Sequence, residues 1–276
     1  MLGGSVIVNK PEQGPPAAPP NSPAAGDGRR ALREALVVFL VAIALCAVFL
    51  KIPAVSKLIH IDPHTLIAIV FLYLPTLILL KRREDFGAYG LTFSPLGRGL
   101  RLFAVTSLIV FPLFAVGLYG FYSLVCAAVH AGCPIPLPLR AMCSRFVGNW
   151  QRARLRLPSS LGRMALSVGN TVLAELVVIA LPEEYFFRGY LQSRLEVRWP
   201  SRRRLLGAPV GPALVLSSVL FALGHPLVDF NPLRLVVFFP GLIFGWMRQA
   251  TGSIVAGVLF HAACNLYSML LHAMLF

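Results

Sequence analysis

Leu181-Pro182-Glu183-Glu184-Tyr185-Phe186-Phe187-Arg188-Gly189-Tyr190 decides how this chain is read. The ten residues before it, 171–180, are apolar except for Thr171 and Glu175. Two adjacent glutamates and an arginine therefore end a segment that reads as a membrane helix. Charged side chains at membrane depth are costly, and where they occur they mark a working site by default.

Composition supports the membrane. The chain has 276 residues, of which 57% are hydrophobic and 13% charged, about half the charged fraction of a soluble domain. Its mean hydropathy is +0.74. This is the composition of an all-α, polytopic transmembrane helical bundle. The formal net charge is +14. The arginines fall between apolar runs, where they orient helices against anionic lipid. They form no stripe interleaved with aromatics, so the partner they imply is the lipid bilayer and not nucleic acid. None of the five cysteines forms a CxxC pair. Cys46 and Cys264 lie in apolar runs and read as packing residues. Cys133 and Cys143 share a loop and can pair if it faces an oxidising compartment, which sequence leaves open.

Residues 1–30 are rich in Pro, Ala and Gly and read as a disordered tail, without the apolar core of a signal peptide. Residues 31–276 read as one transmembrane domain. Apolar runs near 35–50, 65–80, 102–129, 163–197, 210–227, 233–247 and 253–276 give about seven spans, with six to eight allowed by one missed or re-entrant segment. Arg29, Arg30 and Arg33 before the first span predict a cytoplasmic N-terminus. Residues 87–91 read as a turn-like connector, and 142–155 as a basic amphipathic helix on the membrane surface. Seven spans from an inside start place 194–208 in the cytoplasm, which its arginines support. They place 131–162 outside, which its arginines oppose. Pro182 frees a carbonyl one turn earlier and predicts a kink beside the glutamates.

Helix geometry separates the two acids. Glu184 and Arg188 are four apart with the acid first, the favoured order for a pair. Glu183 points about 100° away and has no local basic partner, as a general base or acid requires. Phe221 and His225 share one face of the next span. If a turn lies near 198–209, Glu183 is about 15 residues before it and His225 about 16 after it, so both lie roughly 22–24 Å from that turn. His261 and Asn265 share a face of the last span, suited to hydrogen-bonding an oxygen that becomes negative. Each residue alone has a structural reading. A buried histidine is usually a packing residue, Glu184–Arg188 is mainly a structural pair, and Asn265 alone is interhelical glue. Glu175 either lines the cavity or pairs with a loop arginine. His272 and Trp246 read as packing or interfacial residues. The structural reading explains poorly the set of Glu183, His225, His261 and Asn265 on three spans.

Glu183–Arg188 is an EExxxR motif, Phe221–His225 is FxxxH, and His261–Asn265 is HxxxN. In this order on late membrane helices they resemble the CPBP family of intramembrane proteases, over roughly residues 165–270. That family contains the CAAX prenyl endopeptidases and bacterial relatives in bacteriocin immunity and protein sorting. The resemblance implies that Glu183 and His225 activate a water, that His261 and Asn265 stabilise the oxyanion, and that Glu184 and Arg188 support them. It implies a peptidase of a bacterial plasma membrane that cleaves near the C-terminus of membrane-anchored or lipidated protein substrates. The alternative is a non-catalytic scaffold or bacteriocin-immunity protein that binds a partner peptide. No cofactor is favoured. Zinc, if present, would take Glu183, His225 and His261, although the chain has no HExxH. The long tail, the large basic loop 131–162 and a last span that runs to residue 276 depart from the better-known prenyl endopeptidases. They suggest a subgroup similar to the myxosortases, which cleave C-terminal membrane anchors.

Overall fold

The computed structural model describes residues 28–52, 61–144, 146 and 161–276. Most of the expected disordered tail lies outside the described residues, as does most of the expected surface helix over 142–155. What is described is an all-α membrane bundle with one small hairpin. Helices α1 (Gly28–Lys51), α2 (Pro63–Arg82) and α3 (Leu96–His130) are followed by the short α4 (Leu137–Cys143). A long rod, α5, then runs over residues 161–198. The hairpin strands β1 (Arg203–Leu205) and β2 (Ala208–Val210) lead to α6 (Pro212–Asp229), α7 (Phe238–Thr251) and α8 (Val255–Leu275).

Among the described residues helical rods stand at all seven expected spans, and five of them are long and apolar enough to cross a membrane. The 18 residues of α6 and the 14 of α7 extend about 27 and 21 Å, short of the ~30 Å hydrocarbon core. The reason is local. Phe230 caps α6 in the left-handed conformation, and Pro232 starts a 3-10 turn, Pro232–Val237, that leads into α7.

The α5 rod is helical throughout, but π turns at Glu175–Ala180 and Tyr185–Leu191 flank the short α segment Leu181–Glu184. Pro182 has no N–H to donate one turn back. The wider i→i+5 turns around it absorb that loss, a form of helix often found at functional sites.

One end of the bundle is closed by a polar clasp. Glu34 of α1 accepts hydrogen bonds from Tyr190 (2.6 Å) and Arg194 (3.2 Å) of α5 and from Arg82 of α2. Glu84 accepts one from Tyr89. Residues 84–92, which include the expected turn-like connector 87–91, are a seam driven into this end. Tyr89 is fully buried and stacks on Tyr190. Arg248 donates to the Ala88 carbonyl at 2.9 Å, and the Ile254 N–H donates to the Gly90 carbonyl at 3.0 Å. Gly90 sits at φ +85, and a Cβ there would stand 2.6 Å from Arg248 Nε, so only glycine fits.

The opposite end carries a disulfide between Cys126 and Cys143. Cys143 therefore pairs with Cys126 and not with Cys133, the pairing that the sequence left open. Because α3 continues to His130, Cys126 lies in the helix wall facing the returning α4, with the two Cα atoms 5.3 Å apart. Cys133 lies past the helix end, exposed and free, and Cys46 is buried as expected.

Candidate active site

The acid pair sits where α5 passes into the bundle. Every residue from 184 to 195 is buried. Glu184 is 0% and Arg188 1% exposed, and Arg188 Nη1 lies 3.1 Å from Glu184 Oε1, as the four-residue spacing predicts. Arg188 also donates to the Gly241 carbonyl of α7 at 3.2 Å. Its guanidinium lies 4.0 Å over the Phe221 ring and 5.0 Å over that of Phe244, the arrangement in which aromatic faces hold a cation.

His261 of α8 joins the two acids. Its Nδ1 lies 3.0 Å from Glu184 Oε1. An ionised carboxylate only accepts, so Nδ1 carries the proton. Its Nε2 lies 3.7 Å from Glu183 Oε2. The imidazole stacks on Phe244, with centroids 4.8 Å apart, which fixes its plane. Gly257, one turn before His261, makes this approach possible, since a Cβ there would stand 3.0 Å from Glu184 Oε2. The Glu183 side chain is 18% exposed, yet its Oε2 is buried and accepts no hydrogen bond. Glu184 Oε2 is likewise buried and unbonded, but Glu184 is held through Oε1 by Arg188 and His261 and is fully buried, so of the two glutamates only Glu183 reaches the surface.

His225 approaches from α6. Its ring stands edge-on to Phe221 at 4.9 Å, and Phe221 stands edge-on to His261 at 5.9 Å. One phenyl ring thus separates the two imidazoles. His225 Nδ1 lies 2.9 Å from the Phe221 carbonyl. Donation to that carbonyl leaves Nε2 with its lone pair. The Ser217 hydroxyl donates to the Phe187 carbonyl at 2.7 Å, which sets the register of α6 on α5. From that bond Glu183 is four residues outward and His225 eight, about 6 and 12 Å. The depths expected to coincide therefore differ by about one turn. Side chains lean toward their own helix N-terminus. On these antiparallel helices that lean narrows the difference in depth between Glu183 and His225.

Asn265 lies one turn beyond His261 and donates to Glu175 Oε2 at 2.8 Å. Glu175, expected either to line the cavity or to pair with a loop arginine, instead orients this amide. A uniform α period places it about 80° round the rod from Glu183, whereas the intervening π turn holds an extra residue and swings it closer. Phe244 and Gly257 were likewise outside the expected set. Gly257 lies four before His261, the one sequence signal that could have singled it out.

Among the described residues, no group of three or more His, Cys, Asp and Glu side chains is placed to hold a metal ion. The candidate zinc set of Glu183, His225 and His261 is not gathered in that way, and no step below is routed through a metal.

Residues 167–267, which contain every residue of this constellation, match the family model described as type II CAAX prenyl endopeptidase Rce1-like. The match agrees with the resemblance of the three motifs to the CPBP family. The search of curated proteins returned no match, and neither did the search of solved structures. The matched family is one of peptidases, and among the described residues five helices are long and apolar enough to cross a membrane, as expected of an integral membrane protein.

Proposed function

We propose that this protein is an intramembrane endopeptidase that hydrolyses a peptide bond near the C-terminus of a membrane-anchored or lipidated protein, using water activated by Glu183. The observation that carries this reading is the partly exposed carboxylate of Glu183, whose Oε2 lies 3.7 Å from an imidazole whose far nitrogen is held by Glu184. Glu183, assisted by His225 Nε2, takes a proton as the water oxygen attacks the scissile carbonyl carbon. His261 and the Asn265 amide hold the oxyanion. A carboxylate stands near each nitrogen of His261, Glu183 at 3.7 Å from Nε2 and Glu184 at 3.0 Å from Nδ1, which holds the ring in place. Collapse of the tetrahedral intermediate breaks the C–N bond, and the proton on Glu183 passes to the leaving amine.

Glu175 uses one N–H of Asn265 and leaves the other for the oxyanion. Asn265→Ala is expected to lower kcat by about 10²–10³ with little change in KM, since the lost bond is made mainly in the transition state. Steady-state kinetics on a peptide reporter checks this, and an unchanged kcat contradicts the role. A strong chelator is expected to leave the rate of the purified enzyme unchanged. Activity lost to chelation and restored by zinc would replace the metal-free mechanism.

A further inference from the structure

The two ends of this bundle differ chemically, and among the described residues the candidate site is open toward one of them. We propose that the disulfide end faces an oxidising, non-cytoplasmic compartment and that substrates reach Glu183 from there. Given the peptidase reading above, its substrates are then exported, membrane-anchored chains.

The first argument concerns compartment. The Cys126–Cys143 disulfide joins α3 to α4, and such bonds persist in oxidising compartments and are rare in the cytosol. The clasp ties the start of α1, the end of α2 and the end of α5 to one end through Glu34, Arg82 and Arg194. The 84–92 seam brings the start of α8 to that end as well, through Ile254. The hairpin 203–210 joins it through Trp246, which donates to the Leu205 carbonyl at 2.9 Å. A cluster of basic residues at element ends and in the connections beside them, including Arg30, Arg33, Arg83, Arg101 and Arg202–Arg204, therefore collects at the clasp end, as it does on cytoplasmic faces. The segment 131–162 also carries arginines, so this bias is one of degree. The covalent bond decides it.

The second argument concerns access. On α5, residues 184–195 are all buried, whereas 165–170 are all exposed. On α8, burial is nearly continuous from 256 to 262, and residues 268–270 are exposed. Helix α6 ends four residues beyond His225, and residues 230–236 after it are exposed. All three elements thus change from closed to open at the level of the acid pair, and the open side is the disulfide side. Below the pair, toward the clasp, Arg188, Gln192 and Ser217 bond to backbone carbonyls of neighbouring helices and leave no route.

Thiol labelling tests both parts without using turnover, so its outcome is independent of whether Glu183 is the base. In sealed cells, a membrane-impermeant maleimide is expected to label the native Cys133. In a Cys133→Ser background, Leu206→Cys, at the 82% exposed hairpin tip, should label only after permeabilisation. In the same background Met269→Cys stands one turn beyond Asn265 and is 52% exposed. Relative to the parent, it should label at least about tenfold faster in sealed cells than in inverted vesicles. Labelling of Leu206→Cys in sealed cells, or protection of Cys133 there, overturns the orientation. Faster labelling of Met269→Cys in inverted vesicles, or none from either side, overturns the access route.

Discussion

Replacing Arg188 with methionine, with Glu184 left in place, is expected to destabilise the protein by about 3–5 kcal/mol, among the largest losses open to a single substitution here. Both partners are almost fully buried. Removing the guanidinium strands a carboxylate with only His261 to face, and it frees the Gly241 carbonyl that Arg188 satisfies. The aromatic surroundings formed by Phe221 and Phe244 supply no other hydrogen-bonding group. Because the penalty comes mostly from the orphaned charge, the double variant Glu184→Gln/Arg188→Met should recover at least half of it. Glutamine still accepts from His261 Nδ1 and brings no charge. Thermal unfolding in detergent or bicelles reads both values. A loss below about 1 kcal/mol for Arg188→Met would show that the pair does not hold these helices together.

The second large effect is expected at Glu183. Removal of a general base typically costs about 10²–10⁴ in rate, and Glu183→Gln keeps the shape while removing the basic oxygen. Stability should change little, because Glu183 Oε2 accepts no hydrogen bond that the substitution could break. The neighbouring acid behaves in the opposite sense. Glu184→Gln alone breaks the ion pair with Arg188 and should unfold the protein at lower temperature. Two adjacent glutamates are therefore distinguished by which measurement each moves.

Much of this was legible in sequence because it depends on spacing within single helices. The four-residue step from Glu184 to Arg188 fixes a pair in any α-helix, and the structure closes it at 3.1 Å. The apolar runs fixed where the rods lie. What sequence did not yield depends on contacts between elements or on departures from the 3.6-residue period. Glu175 reaches Asn265 only because π turns re-phase α5. His261 was read as facing an oxyanion, but it also clamps the two glutamates, a tertiary contact across 77 residues of chain. Cys126 lay within the expected span 102–129, but its pairing with Cys143 depends on how α4 returns against α3, a contact between elements. The Glu34 clasp draws on three separate elements, so neither its arginines nor its tyrosines stood out singly.

The most direct test is to compare the C-termini of membrane-anchored proteins in cells carrying the native enzyme with those in cells carrying Glu183→Gln at equal abundance and equal melting temperature. The expected result is a set of chains that end short in the presence of the native enzyme and retain their full C-terminal segment with the variant. Identical truncations in both would remove Glu183 from the chemistry.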